Sequence, residues 1–115
     1  MQRTPAVPNV DPEEAARRVA EGAVLLDVRE PDEWEAGHAP EAVHIPLASL
    51  AARAGELDRD QPVVAVCRSG ARSERGAGAL RQRGYEAMNV GGGMQAWSAA
   101  GLPVVTSSGE AGQII

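Results

Sequence analysis

Two apolar runs constrain this chain more than anything else in it: Ala23-Val24-Leu25-Leu26-Asp27-Val28 and Pro62-Val63-Val64-Ala65-Val66-Cys67. Both suit short strands, and neither alternates with polar residues, which is the pattern of a strand buried on both faces. Strands of that kind belong to parallel sheets covered by helices on either side. The intervening segments supply the helices. Asp11 is placed to cap, Pro12 suits the first helical position and Glu14 falls three residues after the cap, so a helix is predicted over 12–21 with Gly22 as its stop. Further helices are predicted over 30–37, 47–54, 71–83 and 93–99, the first three of these ending at Gly37, Gly55 and Gly84. Extended pieces are predicted over 42–45, 86–90 and 102–105. The expected fold is therefore α/β, an open, mainly parallel sheet of about five short strands flanked by helices on both faces. The 115 residues read as one domain, with its core over 10–105 and a tail over 106–115 that is assigned no structure.

What is missing narrows the chemistry. The chain has 11 arginines and no lysine, so it offers no P-loop lysine and no lysine for a Schiff base or pyridoxal phosphate. It has one cysteine, which forbids an internal disulfide or a C-x-x-C site, and only 2 histidines, too few for an ordinary structural zinc site. No metal and no organic cofactor is expected. No apolar run is long enough to span a bilayer, and the opening MQRTPAVPNV does not read as a secretory leader, so no membrane partner and a cytoplasmic location are expected. The net charge of -5 argues against a nucleic-acid partner. Yet residues 67–84 hold five arginines against Glu74, a local balance of +4 that leaves -9 on the rest. A positive patch on an acidic chain points to a small anionic ligand, although Arg81 and Arg83 read more simply as a solvated helix face.

That patch begins at the segment that carries chemistry, Val66-Cys67-Arg68-Ser69-Gly70-Ala71-Arg72-Ser73. A lone cysteine at the end of an apolar strand is more often a small core residue than a nucleophile. Here it ends a strand at the edge where parallel sheets bind ligands, and it is followed by two arginines, a glycine and serines. A short loop with Gly70 in it can turn successive N–H groups inward to form an anion nest, and the following helix adds the positive end of its dipole. Arg68 and Arg72 add full charge, and Ser69 and Ser73 add hydroxyl donors. Each favours thiolate over thiol, so the Cys67 pKa is expected below its free value.

The chain resembles the rhodanese family in three stretches. Cys67 to Arg72, with Ser73 following, resembles the family's six-residue active-site loop. Upstream, Leu26-Asp27-Val28-Arg29, Glu33-Trp34, Gly37-His38, Ala42 and His44-Ile45-Pro46 resemble its N-terminal signature. Downstream, Gly84-Tyr85, Asn89-Val90, Gly92-Gly93, Ala96-Trp97 and Ala100-Gly101-Leu102-Pro103-Val104 resemble its C-terminal one. Ala39 and Glu41 depart from the usual pattern in the turn before the second predicted strand. The resemblance implies a sulfurtransferase of the thiosulfate type. Cys67 would take a sulfur atom as a persulfide from a small anionic donor and pass it to cyanide, a thiol or a protein acceptor, while backbone amides over 68–72 (Arg68, Ser69, Gly70, Ala71, Arg72) stabilise the anion.

The flanking residues carry simpler expectations. Asp27 and Arg29 are expected to pair and brace the loop, or else to form a partly exposed ion pair of about 0–1 kcal/mol. His38 is expected to serve hydrogen bonding more than catalysis, and Trp34 and Trp97 to serve packing. Gly91-Gly92-Gly93 lacks the spacing of a dinucleotide loop and reads as a turn before a helix. Two rival functions stand beside sulfur transfer. One is a sulfur-accepting or redox-sensing module without turnover. The other is a cysteine phosphatase or arsenate reductase, whose fold-related members have five residues between cysteine and arginine where this chain has four.

Overall fold

The computed structural model describes residues 6–115. Residues 1–5, part of the opening segment that does not read as a leader, lie outside the described residues. The elements run β1 (Asn9–Val10), α1 (Pro12–Ala20), β2 (Val24–Asp27), α2 (Pro31–Ala36), β3 (Val43–His44), α3 (Leu47–Arg53), β4 (Val63–Val66), α4 (Ala71–Gln82), β5 (Ala87–Val90) and α5 (Gly93–Ala99). A single 3-10 turn, Ala54–Glu56, continues α3 past the expected stop. The strands form one parallel sheet in the order β1-β5-β4-β2-β3.

β4 is central because its residues suit no exposed face. Val63, Ala65 and Cys67 point into one core with Leu26, Leu50, Ala77 and Leu80, under α3 and α4. Val64 and Val66 point into the other with Leu25, Val90, Met94 and Trp97, under α1 and α5. The two-residue period of a strand thus feeds both cores from one apolar run. Each buried valine or leucine contributes about 1.5–3 kcal/mol relative to exposure.

The fold class is as expected, with two corrections of detail. The extended piece over 102–105 does not join the sheet; Val105 exchanges two backbone hydrogen bonds with His38 in an isolated antiparallel bridge. The remaining strand is β1, paired in register with β5 through Asn9↔Asn89 and Val10↔Val90. Its two residues have no apolar run to announce them, and only the neighbouring backbone makes them a strand. Residues 106–115 also have structure. The Gly112 N–H donates to Val104 O and the Gln113 N–H to Ala36 O, and Ile114 packs against the α1–α5 core. Among the described residues no helix is long and apolar enough to cross a membrane.

Adjacent strands β4 and β5 send their following helices to opposite faces, α4 to one and α5 to the other. A crevice opens at such a switch point beyond the strand ends. Cys67 follows β4 there.

Candidate active site

The chain leaves β4 at Cys67 and turns through Arg68, Ser69 and Gly70 into α4. Gly70 sits at φ 114°, a left-handed conformation that side chains resist, and its N–H donates to Cys67 Sγ at 3.1 Å. The loop is held from behind by the first turn of α5. There Met94 N–H donates to Cys67 O at 2.7 Å and Gln95 N–H donates to Arg68 O at 3.0 Å. With those carbonyls bound outward, the following N–H groups are left to face the sulfur. Gly93 makes this approach possible: a Cβ there would lie 2.4 Å from Cys67 O, and its φ is +58°.

Cys67 is almost fully covered, at 1% exposure. Burial pushes its thiol pKa up, but the Ser73 hydroxyl and the N–H groups of Ser73, Gly70 and Ser69 outweigh that and hold it below the ordinary value. The direction matches the sequence expectation, but the donors are hydrogen bonds of the loop more than its arginines. Ser73, expected as loop support, is itself a direct donor: its Oγ lies 3.3 Å from Cys67 Sγ.

The two arginines of the loop go elsewhere. Arg72 forms a paired contact with Glu33, Nη1 to Oε1 at 2.7 Å and Nη2 to Oε2 at 2.8 Å. The pair lowers the Glu33 carboxyl to about 2 and raises the Arg72 guanidinium. Arg68 Nε donates to Ile115 O at 2.9 Å, across a contact with the folded-back tail. The free positive charge expected beside the sulfur is therefore largely engaged, and Glu33 joins the site without having been named as a member of it. Ala71 begins α4 and offers the loop only its backbone.

Asp27 and Arg29 do pair, and the pair is fully buried, which corrects the alternative of a partly exposed contact. Arg29 Nη2 lies 2.7 Å from Asp27 Oδ2, and both side chains are 0% exposed. The remaining donors of the guanidinium reach Gly37 O at 2.8 Å and Glu33 O at 3.3 Å. The pair thus fixes the backbone of α2 and its exit, and α2 in turn offers Glu33 to Arg72. Bracing of the loop runs through that chain of contacts.

The histidines are spoken for. His38 Nδ1 donates to Trp34 O at 2.8 Å and His44 Nε2 donates to Arg29 O at 2.7 Å. Trp34 stacks between them, 3.6 Å from the His38 ring and 4.8 Å from the His44 ring. Trp97 is buried in the core with its indole N–H on Pro103 O. Among the described residues no group of three or more His, Cys, Asp and Glu is placed to hold a metal ion.

Comparison with known proteins places this geometry. The family model for the rhodanese-like domain matches residues 11–100. A sulfurtransferase of Allochromatium vinosum is 39% identical over 106 residues, covering 90% of this chain and 99% of that protein. A thiosulfate sulfurtransferase of Pseudomonas syringae pv. syringae is 38% identical over 89 residues, covering 76% of this chain and 84% of that protein. Among solved structures, a rhodanese-related protein of Thermoplasma volcanium superposes with a TM-score of 0.80 at 31% identity, over 85% of this chain and 97% of that one. The family model over residues 11–100 and relatives at 31–39% identity place the chain in the rhodanese-like domain family.

Proposed function

We propose that this protein is a sulfurtransferase that carries sulfur as a persulfide on Cys67. The observation that carries the reading is the sulfur at the end of β4, facing the Gly70 N–H at 3.1 Å and the Ser73 hydroxyl at 3.3 Å, in a loop with four residues between Cys67 and Arg72. The names of the relatives support transfer of sulfur in general.

In the first step the Cys67 thiolate attacks the outer sulfur of thiosulfate. The sulfur–sulfur bond of the donor breaks, sulfite leaves with the bonding pair, and Cys67 becomes a persulfide anion. In the second step cyanide or a thiolate attacks the outer persulfide sulfur, leaves as thiocyanate or a new persulfide, and restores the thiolate. Charge is conserved in both steps and no external oxidant enters. The nest favours the anion in each state, since its N–H donors are fixed before the reaction. Cys67 is 1% exposed, which favours a small donor or acceptor over a bulky one. With a single cysteine, any disulfide it forms joins another molecule.

The test is the intact-protein mass after incubation with thiosulfate, and again after cyanide or a thiol. Wild type gains one sulfur and loses it to the acceptor, while Cys67→Ser gains none. Loading without appreciable release would favour a sulfur-accepting module. No gain in the absence of reducing agent would overturn the thiosulfate reading, and phosphate esters and arsenate would be tried next.

A further inference from the structure

Ser73 has one hydroxyl proton and three acceptors within reach. Its Oγ lies 2.6 Å from Asn89 Oδ1, 3.2 Å from Gly70 O and 3.3 Å from Cys67 Sγ. The shortest contact is to Asn89, at the end of β5, and both residues are buried, Ser73 at 0% and Asn89 at 2% exposure. The Asn89 amide is oriented from the other side, where its Nδ2 donates to Asn9 Oδ1 at 2.9 Å across the β1–β5 register. A chain of side chains thus runs Asn9–Asn89–Ser73–Cys67, and the hydroxyl in the middle cannot serve both ends at once.

We propose that Asn89 is a positioning residue that holds the Ser73 hydroxyl proton away from Cys67 until the sulfur is ionised. With a neutral thiol, the S–H donates to Ser73 Oγ and the Ser73 hydroxyl donates to Asn89 Oδ1. When the thiol loses its proton, the hydroxyl rotates to Sγ and Asn89 Oδ1 loses its donor in a buried site, which carries a cost. Loading a sulfur atom moves the charge to the outer sulfur, leaves Sγ neutral and lets the hydroxyl return to Asn89. The hydroxyl therefore turns once in each half of the cycle, and Asn89 sets how acidic the thiol is. A thiol that is too acidic is a weaker nucleophile, so an opposing acceptor has a use. The part of this role that concerns loading deepens the sulfur-carrier reading and rests on it; the part that concerns the thiol stands without it.

Other charges around Cys67 are accounted for. The Arg72–Glu33 pair faces it from α4 and α2, the Asp27–Arg29 pair closes the end of β2, and Arg68 lies on its own loop and is turned to Ile115 O. β5 and α5 contribute no titratable side chain. None of these charged groups touches Asn89 or Ser73 through a hydrogen bond.

The experiment is the pH dependence of Cys67 alkylation by iodoacetamide, which uses no sulfur donor. Asn89→Leu removes the competing acceptor and is expected to lower the thiol pKa by roughly half to one unit. Asn89→Ala does the same with less bulk and guards against a leucine that does not pack. Asn9→Ala, on the exposed edge strand, frees the amide of Asn89 and moves the pKa the same way by less. In a Ser73→Ala background the Asn89 substitutions are expected to change nothing, since the shared proton is gone. Shifts that persist without Ser73, or Asn89 variants that titrate like wild type, overturn the proposal. A failure to load sulfur with the alkylation pattern intact would sink the carrier reading and leave the proton competition standing.

Discussion

Glu33 and Arg72 lie side by side in two parallel hydrogen bonds, 2.7 and 2.8 Å long, and so tie the helix that follows Cys67 to the short helix α2. Neither residue is near the other in the chain. Paired contacts of this kind are the stronger class of ion pair, though Arg72 keeps 34% of its side chain exposed and water screens part of the gain. The carboxyl of Glu33 titrates at about 2 in the fold against 4.5 without it. A lowered acid contributes stability that is complete above the unfolded value and is lost as pH falls through the folded one. Glu33→Gln should therefore cost about 1 kcal/mol in urea unfolding at neutral pH. The difference from wild type should shrink below pH 4.5 and vanish near pH 2. A difference that stays constant across that window would mean that the pair is not its source.

Asp27 and Arg29 behave differently because both are fully buried. Removing one partner leaves a charge with no water and no counter-ion, at about 3–5 kcal/mol. Asp27→Asn and Arg29→Met should each melt far below wild type. Arg29→Lys should rescue little, since one ammonium cannot reach Asp27, Gly37 O and Glu33 O together. The double variant Asp27→Leu with Arg29→Met should be less damaged than the sum of its parts, a comparison that thermal denaturation can make.

The close contact at Gly93 can be tested against a glycine that has room. Gly93→Ala puts a Cβ 2.4 Å from Cys67 O at a φ of +58°, and should cost about 2–4 kcal/mol while displacing the loop from α5. Gly55→Ala meets nothing within 4 Å and should stay within about 0.5 kcal/mol of wild type. Denaturant midpoints for the two variants would separate them, and equal midpoints would refute the steric account.

Ser73 donates to the sulfur, so Ser73→Ala should raise the Cys67 pKa toward its ordinary value. Alkylation at a pH below the thiol's titration should slow, because less of the thiol is ionised there. The stability effect has a definite sign. The folded thiol is the stronger acid, so wild type gains stability relative to Cys67→Ser as pH rises through the folded value toward 9.0. Ser73→Ala should gain less. An unchanged alkylation profile would place the hydroxyl permanently on Asn89.

The parts of this molecule that could be read from sequence are those written in consecutive residues. The uninterrupted Val63-Val64-Ala65-Val66 run names a central strand because each residue finds apolar cover on whichever face it points to. The helix at Pro12 was legible from Asp11, whose carboxylate accepts the Glu14 N–H at 2.8 Å. The loop over 67–72 announced its nest through Gly70, whose backbone lies where only glycine is comfortable.

Contacts between distant residues had no such trace. Glu33, 39 positions before Arg72, fell within the upstream family signature, but its pairing depends on where α2 packs and left no trace in the sequence. Asn89 stood out only as part of the downstream family signature on a strand, and nothing in the sequence tied it to the serine beside the sulfur. β1 is a strand only because β5 presents an open edge to Asn9 and Val10, and the last ten residues have structure because Ala36 and Val104 offer carbonyls to Gln113 and Gly112. Sequence alone determined four of the five strands and marked the loop after Cys67 as an anion nest, since backbone conformation and apolar period are local properties. Tertiary structure decided how the arginines are neutralised and which acceptor competes for the Ser73 proton, because a hydrogen bond depends on distance in space and the chain order does not record it.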